Sequence, residues 1–103
     1  MDEFKQWVKE LRREFPPLVP VRVYRRDLSS TGYVGATELV WDDEDRPVRF
    51  TITVHKSSRT MMLHMLIHEW AHAYAWQEGD KTPCHGPQWG LSLSQIYQHM
   101  LEE

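Results

Sequence analysis

The segment Ser58–Gln77, SRTMMLHMLIHEWAHAYAWQ, decides the fold. Leu63, Leu66, Ile67, Trp70, Ala71 and Tyr74 recur with a 3.6-residue period and share one face of a helix. Met61, Met65, His68, His72 and Trp76 fall on nearly the opposite face. A helix that is apolar on two sides is buried between two layers. The segment therefore predicts a central helix held between a sheet and other helices. Ser57 or Ser58 supplies its N-cap, and Gly79 stands where a C′ glycine ends a helix running to about residue 77.

Working outward, residues 47–55 give the clearest strand, with Val48, Phe50, Ile52 and Val54 alternating with Arg49, Thr51, Thr53 and His55. Residues 33–41 read as a second, less regular strand. Residues 18–26 read as a third, with Val19, Val21 and Val23 on one side. A turn at residues 29–32 and the acidic run Asp42, Asp43, Glu44, Asp45 separate them. That run lacks the spaced ligands and glycine of a calcium loop, and is expected to be a solvated hairpin tip. Three strands on short connections predict a small antiparallel meander. Phe4, Trp7, Val8, Leu11 and Phe15 form one face of an N-terminal helix stopped by Pro16 and Pro17. Gly86 and Pro87 open a last helix striped by Trp89, Leu93, Ile96, Tyr97 and Met100. The expected class is α+β: N-terminal helix, three-stranded antiparallel sheet, central helix, C-terminal helix.

At 103 residues, a second core would leave each half too little apolar surface to bury, so residues 1–103 are expected to form a single domain. Cys84 stands alone, which excludes an internal disulfide and a cysteine-based zinc knuckle and is compatible with a reducing cytoplasm. The first fourteen residues carry Asp2, Glu3, Lys5, Lys9, Glu10, Arg12, Arg13 and Glu14, unlike a signal peptide. The longest apolar stretch, Met61–Ile67, is broken by His64 and too short for a bilayer. No membrane partner, a cytoplasmic location and a monomer are expected. A net charge of −3 argues against a strongly basic nucleic-acid binder. Arg12, Arg13, Arg22, Arg25 and Arg26 are expected to protect a strand edge rather than bind phosphates. Tyr24, Tyr33 and Trp41 are expected to pack in the core rather than form a base-stacking platform.

His68-Glu69-Trp70-Ala71-His72 is an H-E-x-x-H motif on the central helix. Residues i and i+4 stand one above the other, so two imidazoles can converge on one ion. Glu69, one residue further round, can take a proton from zinc-bound water and pass it to a leaving amine. Catalytic zinc commonly has three protein ligands, and His64, Cys84 and His85 are candidates for the third. His64 shares the helix, and a rise of about 6 Å per four residues spreads three stacked imidazoles too far for one ion. Cys84 would give a His₂Cys site, possible for zinc. His85 follows a loop long enough to return and is fixed by Gly86-Pro87, so it is the expected third ligand. His55 and His99 have no spacing argument and are expected at the surface. Tyr33, Tyr74 and Tyr97 are candidates for stabilising an oxyanion, and the sequence does not choose among them.

His68-Glu69-Trp70-Ala71-His72-Ala73 followed by His85-Gly86-Pro87-Gln88-Trp89 resembles the SprT-like zinc metallopeptidases, the group that includes Spartan. The specific match covers about residues 58–100. The resemblance implies a zincin-like α+β core, one Zn²⁺ per chain on His68, His72 and His85, and Glu69 as general base and acid. It implies zinc-dependent hydrolysis of peptide bonds in a protein or peptide substrate. It also brings DNA into view as a partner, which the charge does not support. Cysteine-pair modules of the kind many members append are not seen, so the chain reads as a minimal catalytic core. Two alternatives compete: a non-catalytic interaction module that keeps zinc for stability, and a metal-dependent hydrolase acting on nucleic acid.

Overall fold

Among the described residues there are three helices and one three-stranded sheet, in the order α1 (Glu3–Glu14), β1 (Val21–Arg26), β2 (Gly35–Trp41), β3 (Pro47–His55), α2 (Arg59–Ala75) and α3 (Pro87–Leu101). The structure is a computed structural model that describes residues 2–77 and 85–101, so the expected C′ glycine Gly79 and the candidate ligand Cys84 lie outside the described residues. The class is α+β, as expected. The pairing of the strands is not.

The sheet runs β1-β3-β2, and it is mixed rather than an antiparallel meander. β2 pairs antiparallel with β3, placing Thr37 opposite Ile52, whereas β1 runs parallel to β3, placing Val23 opposite Ile52. The reason lies in β3 and in the 27–34 connection. Phe50, Ile52 and Val54 are wholly buried, so β3 takes the centre, where both edges of its backbone are hydrogen-bonded. Residues 27–34 do turn, with Gly32 at φ +80° and Thr31 N–H donating to Leu28 O at 2.9 Å. They do not fold β2 back on β1 but cross the end of β3. Lys56 N–H donates to Arg26 O at 2.9 Å, His55 N–H donates to Val34 O at 3.0 Å, and Leu28 N–H donates to His55 Nδ1 at 2.9 Å. His55, expected as an ordinary surface residue, thus ties down the crossover.

The β2–β3 connection is the expected polar hairpin. Asp42 accepts from Glu44 N–H and Arg46 N–H, both at 2.9 Å, and Asp45 adopts φ 58°, a left-handed conformation that aspartate tolerates. The backbone bond from Arg46 leads the causes that hold the Asp42 carboxyl below its ordinary value. The turn's own groups use this carboxylate. Tyr33 and Trp41, expected in the core, are exposed instead, on the crossover and at the hairpin end of β2.

α2 lies against β2 and β3 on one side and against α3 and α1 on others, the central position predicted from its two apolar faces. Ser58 is its N-cap, accepting from Met61 N–H at 3.2 Å. It stops at Ala75, two residues early, because Trp76 turns extended (ψ 136°) and sets its indole edge-on to Phe50, 5.7 Å between rings. Trp70 is wholly buried, and its Nε1 donates to Phe15 O at 2.9 Å where α1 ends. α1 is capped by Asp2, which accepts from Phe4 N–H at 3.0 Å and pairs with Arg25 of β1. Arg12 donates to Val21 O at 2.6 Å, covering part of the outer edge of β1 as the edge-protecting role requires. Among the described residues no helix is long and apolar enough to cross a membrane.

Candidate metal centre

One turn of α2 separates His68 from His72, and their rings lie edge to face with centroids 5.2 Å apart. His85 reaches them from the residues just before α3. Its Nε2 stands 3.0 Å from His72 Nε2 and 3.3 Å from His68 Nε2. A tetrahedral zinc with Zn–N bonds of about 2.0–2.1 Å requires nitrogens about 3.3–3.4 Å apart. The two separations from His85 Nε2 are therefore close to those within such a site, and the ligand atoms of all three histidines lie within 4.8 Å of one another. The donor chemistry agrees, since neutral imidazole nitrogens suit zinc and other borderline ions. This group could hold a metal ion. His72 is buried, His68 half-buried and His85 exposed, so one side of the cluster is open to solvent.

Trp89, on the first turn of α3, is the wall behind the cluster. Its ring stacks on His72 at 5.4 Å and 24°, and meets His68 and His85 edge to face at 5.1 and 4.6 Å. Its Nε1 donates to His68 O at 3.3 Å, tying α3 to the helix that carries two of the histidines. The sequence placed Trp89 in a core stripe. The structure adds that this end of the stripe packs on all three imidazoles.

Glu69 points from α2 toward β2 and is 7% exposed. Its Oε1 accepts from Thr37 Oγ1 at 2.7 Å, and the same hydroxyl lies 3.0 Å from Glu69 O. Its Oε2 is 3.8 Å from His68 Nε2. Gly35 flanks that oxygen, where a Cβ would come within 3.1 Å of Oε2 and 3.2 Å of Cγ. Gly35 and Thr37 were not visible as site residues in the sequence. Their spacing of two does place them on one face of a strand, but nothing local says that this face meets Glu69.

Other candidates fall elsewhere. His64 makes a hydrogen bond of 3.0 Å from Nδ1 to Tyr97 OH and is not in the histidine cluster. Burial raises the Tyr97 phenol above its ordinary value. Tyr74 packs edge to face on Phe15 at 5.4 Å, and Tyr33 is exposed. Among the described contacts none of the three tyrosines touches Glu69 or the clustered histidines. His99 is at the surface, as expected, and is paired there, with Nε2 2.8 Å from Glu10 Oε2 and its ring against Phe15. Glu10, Glu14 and His99 form a second group of metal-ligand type, but Arg13 already bonds both carboxylates.

Comparison with curated proteins and with solved structures gives no match. The model of the SprT-like family matches residues 2–102, from the cap of α1 to the end of α3. It covers the sheet and the N-terminal helix as well as the histidine segment that carried the resemblance. The chain belongs to the SprT-like family.

Proposed function

We propose that the chain is a zinc-dependent metallopeptidase that cleaves peptide bonds at the His68, His72 and His85 cluster. The observation that carries this reading is the convergence of three Nε2 atoms beside a buried carboxylate, Glu69, that is not one of the clustered donors. Family membership supports a protease-like activity that depends on metal.

In this reading His68, His72 and His85 hold the ion. Zinc there would supply Lewis-acid chemistry, lowering the pKa of a water to about 7 and polarising a carbonyl. Glu69 would accept a proton from the attacking water as the water oxygen adds to the scissile carbonyl, and would give it to the amine as the C–N bond breaks. The partial exposure of His68 and the exposure of His85 leave an approach for substrate.

β2 offers a way to align that substrate. Its pairing with β3 occupies the backbone groups of Ala36, Glu38 and Val40, as the bond from His55 N–H to Val34 O sets the phase. Gly35, Thr37 and Leu39 therefore turn their N–H and C=O groups to the outer edge. An extended peptide adding there as a strand would lie beside the residues that contact Glu69.

Glu69→Gln is the test. The variant is expected to bind zinc as the parent does and to lose cleavage of an unfolded protein substrate. Equal cleavage by the variant contradicts the mechanism. A zinc-loaded parent inert on every peptide tried, with zinc still raising its melting temperature, favours the non-catalytic module.

A further inference from the structure

We propose that Thr37 is a positioning residue for Glu69: by holding Oε1 it leaves Oε2 as the oxygen that handles the proton, and Gly35 is glycine to leave that oxygen room. This rests on Glu69 acting as the base.

A glutamate side chain has three rotatable bonds, and a base must meet its proton within hydrogen-bond reach. The backbone of α2 fixes only the root of Glu69. The far end is held from β2. Thr37 Oγ1 carries one hydrogen, and of its two neighbours the carboxylate oxygen at 2.7 Å is closer than the main-chain oxygen at 3.0 Å. Threonine is branched at Cβ and stiff about χ1, so the strand backbone sets the direction of its hydroxyl. With Oε1 occupied, the other oxygen faces the histidines, 3.8 Å from His68 Nε2.

Gly35 is explained by the same geometry. A glycine inside a strand weakens it and marks a close approach by another group. Its backbone is not left-handed, since Gly32 is the positive-φ glycine among the described residues. Conformation therefore does not demand glycine here. Space favours it: a methyl group would sit 3.1 Å from Oε2 and 3.4 Å from Cδ, so the Glu69 carboxylate would have to give by a few tenths of an ångström. Gly35 and Thr37 thus act on the two oxygens of one carboxylate, the first by leaving room and the second by bonding.

The test compares Thr37→Val, Thr37→Ser, Gly35→Ala and Glu69→Gln as zinc-loaded full chains, reading kcat, KM and zinc content. Thr37→Val keeps shape and loses the hydroxyl. It is expected to lower kcat by about 10- to 100-fold with KM and zinc content little changed, while Thr37→Ser recovers most of the parental kcat and Gly35→Ala falls about tenfold. A second readout needs no metal: melting temperatures of metal-free Thr37→Val, Glu69→Ala and the double variant are expected to be non-additive. Parental kcat in Thr37→Val beside an inactive Glu69→Gln overturns the positioning role alone. A fall in Thr37→Val that Thr37→Ser does not restore, or additive melting shifts, overturns it too. Full activity in Glu69→Gln overturns instead the reading of Glu69 on which this rests.

Discussion

His85 is the residue on which the ligand set turns, because it is the member of the cluster that α2 does not place. Its ring lies 4.5 Å from His72 and 4.6 Å from Trp89, so its removal opens one face without disturbing the helix. His85→Ala is expected to lose activity and to weaken zinc binding by more than about a hundredfold, beyond the cost of losing an outer-shell partner. His64→Ala, whose ring bonds Tyr97 and not a clustered histidine, is expected to keep zinc affinity well within the roughly tenfold loss that removing a ligand's own partner would bring. Zinc content after gentle dialysis reads both. The three histidines and Glu69 were legible in the sequence because helical spacing and a single loop relate them. Thr37 was not, since it meets Glu69 across 32 residues through a strand-to-helix contact that no local pattern encodes.

At the scale of elements, the helices and strands were legible from periodicity, whereas the order of the strands was not. The alternation of β3 shows that one face is buried but says nothing about which strands flank it. The crossover over its end rests on non-local bonds from Lys56 and His55. Likewise α2 ends early because Trp76 finds Phe50, a packing preference that outweighs helix propensity. The junction of α1 with β1 makes a prediction of its own. The hydrogen bond from Arg25 leads the causes that hold the Asp2 carboxyl below its ordinary value of 3.8. A carboxyl whose pKa is lower folded than unfolded adds stability above the unfolded value, and that stability is lost as pH falls through the folded one. Asp2→Asn keeps a good N-cap residue but removes the charge. It is expected to be less stable than the parent at neutral pH and to lose less stability on acidification below about pH 4. Urea melts across that range check the crossing.

In the molecule as a whole, α2 joins core and candidate site, since Trp70 is wholly buried between two of the clustered histidines in sequence. A chain of 103 residues has a modest core, and the free energy of binding a metal at the surface of α2 would add to it. Chelation is therefore expected to lower the melting temperature of the parent and to leave that of metal-free His85→Ala unmoved. Trp70→Ala should cost about 3–5 kcal/mol, a large share of the roughly 5–15 kcal/mol typical of a domain, and added zinc should offset part of it. Calorimetry with and without chelator checks both statements.

The central claim is that one zinc sits among His68, His72 and His85, and anomalous diffraction from zinc-loaded crystals at the zinc edge tests it most directly. The account predicts one peak per chain, about 2.0–2.1 Å from Nε2 of each of the three histidines, with Glu69 outside the bonding distance. A peak bound instead by Glu10 and His99, or a zinc that leaves His85 unligated, would contradict it.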